Sequence, residues 1–232
     1  SIVARVNQDI LEGNGSTLLD SMQGTKVRFI ELQEQLNDCL LRESFKKANM
    51  DLTFKSQNVI DVLARNLFER TADVGFLATD SVLRQYMQGS GPVSRNEVEE
   101  RLAEYVAKYS VYEEIVLLKP DGIVVANFDK GNSAAHCSDS LIREIKQTEE
   151  PYLEYFRYSD IQPKKARSHL FCAPIHADST TDAPIVCILV MCFKLEDEMA
   201  RIFSTLLPSS DISTLALVDQ NHKTLVSSSP MQ

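Results

Sequence analysis

Apolar positions along the first third of the chain recur with helical spacing. Leu18, Met22, Thr25, Phe29, Leu32, Leu36 and Cys39 follow one another at intervals of 4, 3, 4, 3, 4 and 3, which predicts an a/d stripe along one helix. Gly13-Asn14-Gly15-Ser16 just before it predicts a loop ending in a helix cap. Two readings of the stripe stay open, a seam between two copies of the chain and a face packed on the next helix of the same domain. That next helix is expected from about Gln57 to Asp80, with Ile60, Leu63, Ala64, Leu67, Phe68, Val74 and Leu77 on a broad apolar face. The stretch Asn49 to Thr53 is either a break or a polar patch within one long helix. Gly89-Ser90-Gly91-Pro92 predicts a loop. Ser94 with Glu97 three residues on has capping-box spacing, and it opens a helix whose inner face is Val98, Leu102, Tyr105 and Val106.

The period then shortens. Ile115 to Leu118 and Ile123 to Asn127 read as two strands joined by Pro120-Asp121-Gly122, where Pro presets one dihedral and Gly supplies a conformation that side chains resist. A similar plan starts at Leu215, 100 positions after Ile115: Leu215 to Val218, a polar turn, then Thr224 to Val226. That spacing suits tandem small domains better than a solenoid. Between the two hairpins come a polar loop (129–138), a short helix (140–148), an aromatic and polar loop (152–167) and strands at 168–175 and 185–194. An amphipathic helix follows over 196–206, with Met199, Ile202, Phe203 and Leu206 inward and Pro208 ending it. Antiparallel hairpins separated by helices predict an α+β fold. The expected organisation is a helical, coiled-coil segment over 1–56, a sensor-sized domain over 57–208, and the opening hairpin of a second lobe over 209–232.

The 232 residues carry a formal charge of −9, and the sequence pI is about 5.0. An acidic chain argues against nucleic acid as a partner. No apolar run approaches the ~20 residues that span a bilayer. The N-terminus has no signal-peptide pattern and no initiator Met, so an excised fragment is expected. Five cysteines, Cys39, Cys137, Cys172, Cys187 and Cys192, show no framework spacing. Free thiols lean the expected compartment toward the cytoplasm, with an extracytoplasmic, membrane-anchored receptor as the alternative.

The long N-terminal helix, the helix ending Tyr105-Val106-Ala107-Lys108-Tyr109-Ser110, the strand–Pro-Asp-Gly–strand hairpin and the later strand pair together resemble a Cache domain. Cache domains are PAS-like sensor modules of bacterial chemoreceptors, sensor kinases and cyclic-nucleotide enzymes. The resemblance covers roughly 57–206, and the echo at 215–228 is similar to the opening strands of a second lobe. Phe68 to Val74 and Cys192 to Met199 resemble Cache proteins associated with chemotaxis coupling. The resemblance implies a PAS-like antiparallel sheet flanked by helices, with a small ligand between the sheet and the loop 152–168. That loop holds Tyr155, Arg157, Tyr158, Asp160, Lys164, Lys165 and Arg167, and His169 follows it. Arg forks onto a carboxylate, Asp answers an ammonium, and Tyr rings exclude water, so the set suits a carboxylate or zwitterion. The amino-acid-binding subgroup carries Arg-x-Trp-Tyr-x-Asp here. This chain has Tyr155-Phe156-Arg157-Tyr158-Ser159-Asp160, which keeps Tyr158 and Asp160 and places Tyr155 and Arg157 where the subgroup has Arg and Trp.

Other chemistries have less support. His169, Cys172 and His176 invite a metal, but positions 169 and 172 of a strand face opposite ways. His136-Cys137 lacks a third group to orient a base. Phosphate-cradling glycine loops and nucleophile elbows are missing, so no enzyme and no cofactor is expected. The expected function is a small-molecule-sensing input domain of a chemotaxis-type signalling protein. It would dimerise through the N-terminal helix and pass a helix rearrangement to an output domain. The alternative is a structural or dimerisation scaffold whose pocket is filled by its own side chains.

Overall fold

A computed structural model describes residues 2–164, 167–180, 182–207 and 212–229, with side chains from residue 17 onward. The chain divides into two compact units, 1–56 and 57–232.

One helix, α1 (Ile2–Ala78), runs through both expected N-terminal helices. The loop expected at Gly13-Asn14-Gly15-Ser16 is therefore helical backbone. Each glycine there costs ~1 kcal/mol against alanine, which the cooperativity of the flanking helix offsets. The Asn49–Thr53 stretch is a polar patch in a continuous helix. Thr53 donates its hydroxyl to the Asn49 carbonyl at 2.8 Å, and Lys55 pairs with Asp51 one turn back at 2.6 Å. Within 1–56, Leu18, Met22, Phe29, Leu32 and Leu36 are all exposed.

In the second unit, the C-terminal part of α1 is followed by α2 (Ser81–Gln88) and α3 (Arg95–Lys108). The helix α2 went unforeseen, yet its ends are marked in the sequence. Asp80 accepts the N–H groups of Val82 and Leu83, and Gly89 closes the helix in the left-handed conformation at φ 60°. The Ser94–Glu97 capping box opens α3 as expected.

Strands β1 (Tyr112–Leu118), β2 (Val124–Asn127), β3 (Leu153–Arg157), β4 (Ser168–His176) and β5 (Ile185–Phe193) form one antiparallel sheet in the order β2-β1-β5-β4-β3. Helix α4 (Leu141–Gln147) lies between β2 and β3, α5 (Leu195–Leu206) follows β5, and β6 (Ala216–Val218) pairs with β7 (Thr224–Ser227) in a separate hairpin. At the β1–β2 turn Gly122 has φ 93°, and a Cβ there would meet the Cys137 carbonyl at 2.6 Å. Both facts require glycine.

The sheet is buried on both faces. On the helical side Tyr112, Ile115, Leu117, Phe171, Leu189, Met191 and Phe193 pack against Val74 and Leu77 of α1, Leu83 of α2, Leu102 of α3, and Met199 and Phe203 of α5. On the other side Val116, Leu118, Leu170, Cys172, Ile188, Val190 and Cys192 pack with Leu141 and Ile145 of α4, Cys137 and Ile161. This is an α+β, PAS-like sheet with helices on its faces. One segment departs from expectation, since 153–157 lies in the presumed loop 152–167 and forms the edge strand β3. Its alternation is real: Leu153 and Tyr155 pack on the α4 side and Phe156 on the helical side.

Candidate functional site

The period of β3 divides the expected ligand residues between the two faces. Tyr155 and Arg157 belong to the α4 side. His169 pairs across the ladder with Phe156 and belongs to the helical side. There its Nε2 lies 3.1 Å from Glu154 Oε2 and its ring sits 4.7 Å from that of Phe171. His169 and Cys172 do face opposite ways. Arg167 is exposed and, with His169, lines a cavity of about 490 Å³ on the helical side. Tyr158 is exposed. Asp160 binds the chain itself, its Oδ2 accepting the Ser138 N–H at 2.7 Å. Lys164 pairs with Glu113 at 3.1 Å, and Lys165 lies outside the described residues.

What the fold brings together is a polar cluster at the edge of the α4 face. The Arg157 guanidinium carbon stands 4.1 Å from the centre of the Tyr155 ring. Its Nη2 is 2.7 Å from Asp139 Oδ1 and 3.7 Å from Glu144 Oε1. These are ion pairs by distance but not aligned as hydrogen bonds: Nη2 and Nε are buried without a hydrogen-bond partner among the described residues. Burial, and then the Glu144 carboxylate beside it, pushes the Tyr155 phenol up. The Ser140 hydroxyl, 2.5 Å from Glu144 Oε1, leads the effects holding that carboxyl below its ordinary value. Asp139 and Glu144 escaped the sequence reading. Their signal is positional, since both sit at the start of a short helix that must cover the sheet, opposite the strand carrying Arg157.

A second missed residue is Glu114, an acid inside an apolar strand and fully buried. Its Oε1 accepts the N–H groups of Ile115, Phe128 and Asp129 at 2.9, 2.9 and 3.0 Å. Its Oε2 accepts the Asn132 amide at 2.7 Å, and the same amide nitrogen donates to the Ile161 carbonyl at 2.7 Å. Glu114 thus ties the loop after β2 and the segment after β3 over the α4 face. Desolvation holds its carboxyl above the ordinary 4.5, against the lowering effect of these donors.

On the helical side, Arg70 Nη1 meets Asp73 Oδ2 at 2.9 Å, and the Tyr112 hydroxyl donates to the same oxygen at 2.6 Å. The pair and its phenol are buried between α1 and the sheet, so they read as structural. A cavity of about 470 Å³ lies beside them, lined by α1 and α3 residues including Phe76, Tyr105 and Tyr109.

No protein-family model matches the chain, and no curated protein matches it significantly in sequence. Solved structures do. The sensor domain of the histidine kinase DctB from V. cholerae is 14% identical with a TM-score of 0.57, over 76% of this chain and 65% of that domain. A domain of a sensory box/GGDEF family protein from Vibrio parahaemolyticus is 14% identical with a TM-score of 0.51, over 78% of this chain and 70% of its own. The extracellular domain of a histidine kinase, rpHK1S-Z16, is 13% identical with a TM-score of 0.50, over 77% and 68%. The chain therefore spans just under two thirds of the DctB domain. The neighbours are named as domains of signalling proteins, one of them extracellular, and the cytoplasmic leaning drawn from free thiols gains no support from them. Four of the five thiols are buried as free cysteines, where each packs as a small hydrophobe, so their number does not report the compartment. At the level of the fold, the chain is an α+β, PAS-like domain, the architecture that its resemblance to Cache domains implied.

Proposed function

We propose that this chain is the sensing input module of a bacterial signal-transduction protein, and that it takes a small carboxylate or zwitterion at the edge of the α4 face. The observation that carries this reading is Arg157. A guanidinium stands there against an aromatic ring, two of its nitrogens are buried without hydrogen bonds among the described residues, and the carboxylates of Asp139 and Glu144 lie 2.7 and 3.7 Å from Nη2. Buried donors left unmade cost ~1–3 kcal/mol each. A ligand carboxylate aligned with the fork would recover that cost by displacing Asp139. In this reading Tyr155 and Arg157 would take the roles expected for them, while Asp160, whose Oδ2 accepts the Ser138 N–H, and Arg167, His169 and exposed Tyr158 lie outside the site.

Displacing Asp139 would release the start of α4, and through the shared sheet bias α1 and α5. A ligand moves such an equilibrium only by its difference in affinity for the two states. The module would act as a homodimer through α1, in an extracytoplasmic receptor. Its output is left at signal transduction without a commitment to chemotaxis, since the neighbours are named for a histidine kinase and a GGDEF protein.

One observation favours the scaffold alternative: the rest of the α4 face is filled by Val116, Leu118, Cys172, Ile188 and Val190, all fully buried. A thermal-shift screen of dicarboxylates and amino acids separates the two. On the sensing reading at least one compound raises Tm, and Arg157→Gln removes that rise. If nothing raises Tm, the scaffold reading replaces it.

A further inference from the structure

We propose a second small-molecule site on the helical side of the sheet, for a carboxylate carried on an apolar body. It lies apart from the α4 face and does not depend on the reading given above. The cavity holds about 490 Å³, within the range of small-ligand pockets. Leu63 and Leu67 of α1 and Leu195 at the start of α5 line one part, and Leu217 and Leu225 of the β6–β7 hairpin line another. Such a lining favours a hydrocarbon body of a few carbons.

The polar groups select the head. Arg167 at the rim is exposed and makes no ion pair or hydrogen bond among the described residues, so its fork is free for a carboxylate. His169 is already answered by Glu154. Asp219 uses Oδ1 for the N–H groups of Asn221 and Lys223, at 2.8 and 2.9 Å, while its Oδ2 makes no hydrogen bond among the described residues. That oxygen is free to accept an ammonium. Two sources share the chemistry of an acid on a hydrocarbon body: a simple aliphatic acid and an apolar amino acid. Either would join α1 to the C-terminal hairpin, because the lining comes from both.

Calorimetric titration of the 232-residue chain with 4-methylpentanoate, leucine and 4-methylpentan-1-ol tests the site. At least one acid binds, and the alcohol, lacking the charge, binds at least about tenfold more weakly. Arg167→Gln, at an exposed position, costs the acids a similar factor, and Leu217→Trp, which fills the cavity, removes binding while a thermal melt confirms the fold. In an Arg157→Gln background, which removes any contribution of the α4 face, the acids still bind, and Arg167→Gln weakens that binding by a similar factor. If Asp219→Asn weakens leucine alone, the occupant is an amino acid; if it weakens neither, a simple acid; both uphold the site. The proposal is overturned if neither acid binds, or if binding survives both Arg167→Gln and Leu217→Trp. Loss of binding in Arg157→Gln alone would place the acid on the α4 face, sinking this inference and leaving the other reading intact.

Discussion

Glu114 is where a single side chain does most to shape the α4 face. A fully buried carboxylate would be costly unpaired, but four donors converge on it, three from the backbone and one from Asn132. Desolvation still wins, and the carboxyl sits above its ordinary 4.5. The sign of the pH dependence follows from linkage. A raised carboxyl binds its proton more tightly in the folded chain, so its contribution is fully present below the unfolded value and is lost as pH rises through the folded one. Glu114→Gln cannot titrate. The stability of wild type relative to Glu114→Gln, from urea denaturation, is therefore expected to fall as pH is raised from about 4.5 to 7. An increase over that range would show that the donors, not desolvation, control the group.

The elements account for what the sequence could and could not disclose. Helix α3, the Pro120-Asp121-Gly122 turn and the strands at 168–176 and 185–193 were legible because local chemistry and long-range burial agree there. The merger of two expected helices into α1 was not, since glycine and asparagine at 13–15 signal a loop locally while helix on both sides overrides them. Edge strand β3 was hidden by its mixed composition, one face apolar and cationic, the other aromatic and acidic. For the candidate site, Tyr155 and Arg157 were visible as types, but their partners Asp139 and Glu144 come from a separate element that only the fold brings near. The heptad stripe of α1 is exposed at Leu18, Met22, Phe29, Leu32 and Leu36. Covering these in two copies would yield on the order of 10–20 kcal/mol gross, enough to exceed a typical association cost of ~4–15 kcal/mol. Cys39 continues this stripe and is the exposed thiol, whereas burial pushes Cys137 up to about 11 and Cys187 up to about 12. Mild oxidation is thus expected to give a covalent dimer that Cys39→Ser abolishes, as a parallel, in-register seam requires. A monomeric mass by light scattering would contradict the seam.

At the scale of the whole molecule, one sheet separates two environments with different chemistry. The α4 face is aliphatic and thiol-filled, with a charged cluster at its edge around Arg157. The helical face is larger and aromatic, and it touches α1, α5 and the last hairpin. An event on either face can reach the helices, because β1 to β5 all pair into the same sheet. A ligand that exchanges with Asp139, as proposed, must disturb the α4 face, and methyl-resolved NMR during titration with the most stabilising compound of the thermal screen reads that disturbance out. Progressive shifts are expected at Leu141 and Ile145 of α4 and at Ile161, together with their loss in Arg157→Gln. Methyl signals of these three residues that stay fixed while the compound binds would rule the exchange out.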